Sequence, residues 1–81
     1  MKTIHKQTIS IDGLDQSLEG VGYICLVAMQ DGDLTMWYEH KEIAKPRTFQ
    51  VFGTGHPIPH NYHHVASVLD GWFVWHLREK L

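Results

Sequence analysis

The chain has 81 residues, a formal charge of −2 with histidine neutral, and one cysteine, Cys25. That length allows a single small domain, which buries only about two-thirds of its unfolded surface, and a lone cysteine excludes a disulfide within the chain. The negative balance argues against nucleic acid as a partner, because phosphate binding needs a basic footprint, although the seven histidines would turn the protein cationic below about pH 6.5.

The opening Met1-Lys2-Thr3-Ile4-His5-Lys6 lacks the apolar stretch of a signal peptide, and no run is long enough to span a bilayer. Cys25 stands in the apolar run from Tyr23 to Met29 and reads as a small buried hydrophobe. One unpaired cysteine fits a reducing, cytoplasmic compartment.

In chain order, Thr3 to Ile11 reads as a first strand with imperfect alternation, as at a sheet edge. Leu14 to Gly20 is a polar connection with room for one helical turn. Val21 to Gln30 is apolar on both alternating faces, the pattern of a central strand covered on both sides. Asp31-Gly32 then separates it from Asp33 to His40, and Asp-Gly between two strand-like runs is a strong hairpin signal. Lys41 to Pro46 is a loop, Thr48 to Phe52 a fourth strand, and Gly53 to His63 an irregular connection. His64 to Leu69, an Asp70-Gly71 turn, and Trp72 to Arg78 form a second hairpin. The expected architecture is all-β: one domain over residues 1–81, a small antiparallel sandwich or open barrel of about six strands with two Asp-Gly hairpins. The apolar faces are generous for a monomer of this size, which points to a homo-oligomer.

The stretch Gly53-Thr54-Gly55-His56-Pro57-Ile58-Pro59 concentrates residues with special backbones. Two glycines free the chain and two prolines lock it, which makes either a stiffened turn or a rigid platform for recognition. It resembles part of a phosphate-binding glycine loop, but no Walker lysine and no following helix accompany it. Thr54 and His56 are the side chains it would present.

His56, His60, His63 and His64 crowd nine positions. Such tracts bind transition metals, yet their spacing matches no zinc pattern. His76 would need a nucleophile or a polarised water to act as a base, and Ser10, Ser17 and Ser67 lie in no nucleophile elbow. The acids sit mostly in turns, where they have a structural explanation. Aromatic side chains near Arg47, Arg78 and Lys45 could combine stacking with an anion-binding fork, suited to a nucleotide-like small molecule.

The segment from Arg47-Thr48-Phe49 through Gly53-Thr54-Gly55-His56-Pro57-Ile58-Pro59 resembles a family of small uncharacterised proteins of tailed phages and prophages. The likeness extends to the Lys2-to-Lys6 opening, the strand near Ile24 to Met29, Trp37 after the hairpin, and the closing strand Trp72 to Leu77. His60 to His64 depart from the acidic or polar residues expected there. The resemblance implies phage origin and action in the cytoplasm of an infected bacterium, and it brings no catalytic residues.

The sequence therefore leads to a non-enzymatic, oligomeric binding protein that sequesters a nucleotide-like signal of host immunity. Its ligand-binding residues would be Trp37, Arg47, Phe49, Gly53, Thr54, Gly55, His56, Pro57 and Trp72, with no cofactor, no bound metal and no membrane partner. The alternatives are a module that binds and inhibits a host protein, and a metal-dependent hydrolase built on His56, His60 and His63 or His64.

Overall fold

The computed structural model describes residues 1–81 as seven strands: β1 (Ile4–Thr8), β2 (Gln16–Leu18), β3 (Val21–Gln30), β4 (Asp33–His40), β5 (Arg47–Gly53), β6 (Tyr62–Asp70) and β7 (Phe73–Lys80). They form two antiparallel sheets, one in the order β1-β4-β3 and one in the order β2-β5-β7-β6. The sheets do not close into a barrel, and the all-β antiparallel architecture is the expected one, consistent with a sandwich. No helix is long and apolar enough to cross a membrane.

The core follows from period-two alternation. Leu34, Met36 and Tyr38 point inward from β4, and Phe49 and Val51 from β5. Val68 and Leu77 meet them, and Ile9 and Val21 close the ends. Phe49, Leu34, Met36 and Leu77 are wholly buried, each contributing about 1.5–3 kcal/mol of burial free energy.

The first hairpin is as expected. Gln30 pairs with Asp33, and the two-residue loop has positive φ at both positions, 51° at Asp31 and 83° at Gly32, as a type I′ turn requires. In the second hairpin the expected turn is displaced by one residue. Asp70 pairs with Phe73, so the loop is Gly71-Trp72, with positive φ at Gly71 alone. Asp70 stays in the strand because its Oδ2 accepts a 2.9 Å hydrogen bond from Trp75 Nε1.

Three further expectations are corrected. The seventh strand is β2, inside the supposed polar connection. Its Leu18 packs on the core and Gln16 pairs with Phe49, while the Gln16 amide ties back to the Ser10 backbone N–H and carbonyl at 2.8 and 2.7 Å. β3 is an edge strand and β4 is the central one. The apolar residues of β3 fill both alternating faces because register shifts between Val21 and Ile24 and between Ile24 and Leu26 change which residues point inward. Ile24, Val27 and Met29 pack on the core, whereas Tyr23 and Leu26 remain exposed. Cys25 falls in the second shift and is exposed rather than buried.

Candidate functional site

The predicted loop begins as a tight turn. The His56 backbone N–H donates to the Gly53 carbonyl at 3.2 Å, and Gly55, third in the turn, has φ +89°. These are the marks of a type II turn, whose third position favours glycine. The Gly53 N–H donates to His56 Nδ1 at 3.3 Å, and the imidazole lies so close that a β-carbon on Gly53 would meet it at 3.0 Å.

This turn makes one wall of a concavity. β5 ends at Gly53, opposite Trp75, while β7 starts two residues earlier at Phe73. The overhang leaves a notch of about 400 Å³ bounded by Gly53, Thr54 and His56 on one side and Trp72, Phe73, Val74 and Trp75 on the other. Trp72, at the hairpin tip, is 98% exposed and Phe73 61% exposed. The Phe73 and Trp75 rings stack at 5.6 Å.

Thr54 connects the notch to the outer face of the four-stranded sheet. Its hydroxyl donates to the Val74 carbonyl at 3.3 Å and lies 2.9 Å from His76 Nε2. On the other side of that ring, Ser67 Oγ lies 2.8 Å from Nδ1. Ser67 and His76 are direct cross-strand partners.

A second and larger concavity, of about 750 Å³, opens between the start of β3, the end of β4 and the loop before β5. Lys2, Lys41, Lys45 and Arg47 line it with His40, Tyr23 and Ile43, and Glu39 is its only carboxylate. Lys2 pairs with Glu39 at 3.1 Å, whereas Lys41 and Lys45 join no ion pair.

Arg47 is held in place. Its Nε and Nη2 each donate to Glu79 at 2.7 Å, and Nη1 donates to the carbonyls of Gly22 at 2.7 Å and Val21 at 3.3 Å. The hydrogen bonds to Glu79 push the guanidinium above its usual range, against an opposing effect of partial burial. Four of the five N–H donors are thereby engaged, so Arg47 joins the two sheets and offers the cleft one free donor.

A third cluster fixes the loop before β2 to the sheet. Tyr62 Oη donates to Asp15 Oδ1 at 2.7 Å, and Lys80 Nζ reaches Oδ2 at 3.3 Å. The bond from Tyr62, ahead of that from Lys80, holds the Asp15 carboxyl below its usual range, and the same bond raises the Tyr62 phenol.

The predicted site residues thus divide. Gly53, Thr54, His56 and Trp72 meet at the notch, and Arg47 lies in the cationic cleft. Phe49 is wholly buried beneath the Arg47 guanidinium, 5.5 Å from it. Trp37 is half-buried on β4, and Gly55 and Pro57 are exposed in the loop. The clustered histidines disperse: His56 covers Gly53, His60 is in the loop, and His63 and His64 are successive residues of β6. No three His, Cys, Asp or Glu side chains come together at metal-binding separations.

Sequence reasoning missed the Ser67–His76 pair because of the displaced turn. A loop of Asp70-Gly71 would set His76 against Val65, whereas the observed loop sets it against Ser67. The cleft was missed because it draws on three separated segments.

A family model described as a domain of unknown function (DUF7352) matches residues 1–81. The chain belongs to this family. No curated protein and no solved structure matches it. For this DUF7352 chain, what the geometry offers is a cationic cleft, an aromatic notch and a hydroxyl–imidazole chain beside the notch.

Proposed function

We propose that this is a phage-derived binding protein that captures a small nucleotide-like anion, such as a host immune signal, in the cleft between Lys2, Lys41, Lys45 and Tyr23. One observation carries the reading: four of the chain's seven lysines and arginines line one cleft with one of its nine acidic residues, in a protein of net charge −2. Cations gathered in a concave, low-dielectric surface focus the field and attract anions. Tyr23 is 71% exposed and offers a face on which a base can stack. Arg47, whose charge is paired with Glu79, offers one free N–H donor from a side chain that needs no further ordering. The cleft holds no nucleophile paired with a base, which favours capture over turnover there. Phage origin rests on the resemblance carried by the Gly53-to-Pro59 loop, and self-association on the small core and exposed aromatics.

The test is calorimetric titration with mononucleotides and linear and cyclic dinucleotides, at low ionic strength and at about 0.15 M salt. Binding that weakens with salt and is lost in Lys41→Ala/Lys45→Ala at unchanged thermal stability is the expected result. Equal affinity in that variant would move the ligand elsewhere, and no binding by any nucleotide would end the reading.

A second reading, a module that docks on a host protein, is favoured by the exposed hairpin side chains Leu69, Trp72 and Phe73, since aromatics are enriched at interfaces. A complex recovered from host extract without nucleotide, and lost in Trp72→Ser, would support it.

A further inference from the structure

Thr54 Oγ1 lies 3.3 Å from the Val74 carbonyl and 2.9 Å from His76 Nε2, and Ser67 Oγ lies 2.8 Å from His76 Nδ1. The chain runs in either of two directions, according to the imidazole tautomer. In the tautomer protonated at Nε2, Thr54 accepts from His76 and gives its own proton to Val74, and the bare Nδ1 accepts from Ser67. Nucleophile, base and base-orienting group thus stand in hydrogen-bonded sequence, the arrangement from which activated serines are recognised.

We propose that Ser67 is a nucleophile for small, uncharged, activated carboxylic esters, with His76 as general base and Thr54 as the positioning residue that holds the imidazole tautomer. Ser67 Oγ attacks the carbonyl carbon as its proton passes to His76 Nδ1. The tetrahedral oxyanion forms at the open sheet surface, the bond to the leaving oxygen breaks, and that oxygen takes the proton from Nδ1, leaving Ser67 acylated. Water then adds to the acyl-serine with the same base, releasing the carboxylic acid and restoring the hydroxyl. An activated ester suits a site with no cluster of cations, because its leaving group departs readily and the tetrahedral oxyanion carries a single charge, whereas a phosphoryl group brings more charge to be neutralised. The sheet face is open, so small esters have direct access. No carboxylate stands behind His76 to stabilise the imidazolium, so acylation is expected to outpace turnover.

The experiment incubates the untagged protein with p-nitrophenyl acetate and follows p-nitrophenol release, with mass mapping of the acetylated residues. Ser10 and Ser17 are exposed serines of the same chain without a histidine partner, and they serve as internal references. The expected result is a burst near one equivalent, with Ser67 acetylated about 100-fold faster than either reference, the size of a general-base contribution. The burst disappears in Ser67→Ala and slows by a similar factor in His76→Gln. Thr54→Val slows it, and Thr54→Ser, which keeps the hydroxyl, restores it. Acetylation of Ser67 no faster than of Ser10 and Ser17 would overturn the proposal even if a variant failed to fold. So would a rate unchanged in folded His76→Gln. Neither result touches nucleotide binding in the cleft, which is measured separately.

Discussion

Replacing Arg47 by methionine tests whether this residue joins the sheets or serves a ligand. The change removes four hydrogen bonds at once, two to Glu79 and two to β3 carbonyls. An exposed ion pair contributes about 0.2–1 kcal/mol, and breaking a buried one costs about 3–5 kcal/mol. The two side chains are 29% and 20% exposed, between those limits, so a loss of about 2–3 kcal/mol is expected. For a domain of this size that corresponds to a fall in Tm of about 10–20 °C. The assay is urea unfolding followed by tryptophan fluorescence, extrapolated linearly to water. Adding Glu79→Leu should recover much of the loss, because the unpaired carboxylate left by the first change is then gone. A single-variant loss below about 0.5 kcal/mol, the range of ordinary surface substitutions, would refute the assignment and return Arg47 to the pool of ligand-binding groups.

Tyr62→Phe removes the bond that chiefly lowers the Asp15 carboxyl, so that pKa should rise toward its usual value, as read by NMR titration of the carboxyl carbon. A lowered carboxyl pKa stabilises the fold above its unfolded value and stops doing so as pH falls through the lowered one; the variant should therefore lose this acid-side dependence, and an unchanged titration would credit Lys80 instead. Gly55→Ala meets open space but keeps φ at +89°, so calorimetry should show a loss of about 1–2 kcal/mol from backbone strain alone. Trp72→Ser should leave the unfolding free energy unchanged within about 0.5 kcal/mol and remove the most solvent-exposed component of the fluorescence.

Local chemistry made much of the fold legible. Asp31-Gly32 named its own turn type, and Leu34, Met36, Tyr38, Phe49 and Val51 announced their faces by alternation. What escaped was set at longer range. β3 looked central because its two register shifts put apolar residues on both faces, and composition does not reveal that one of those faces stays open. β2 is too short to show alternation and exists because Leu18 finds the core. At the candidate sites, the Gly53 turn was legible from residue type, whereas the exposure of Trp72 at the hairpin tip was not, because the sequence places that residue inside the last strand. The capture of Arg47 by Glu79 was not, because it requires knowing that Phe49 pairs with Glu79 across β5 and β7 and that β3 passes overhead. Ser67 and His76 depended on where the turn sits, because moving a two-residue loop by one position moves the partner of His76 by two, from Val65 to Ser67.

The exposed Cys25, on an edge strand beside Tyr23 of the cleft, gives the molecule a reporter position of its own. It is the only thiol, so one maleimide dye or spin label attaches per chain, two residues along β3 from Tyr23. The same thiol imposes a condition on any count of subunits. In oxidising buffer two chains can become tethered through Cys25 and imitate a packed dimer, whereas a pair that persists under reductant is held by its surfaces alone.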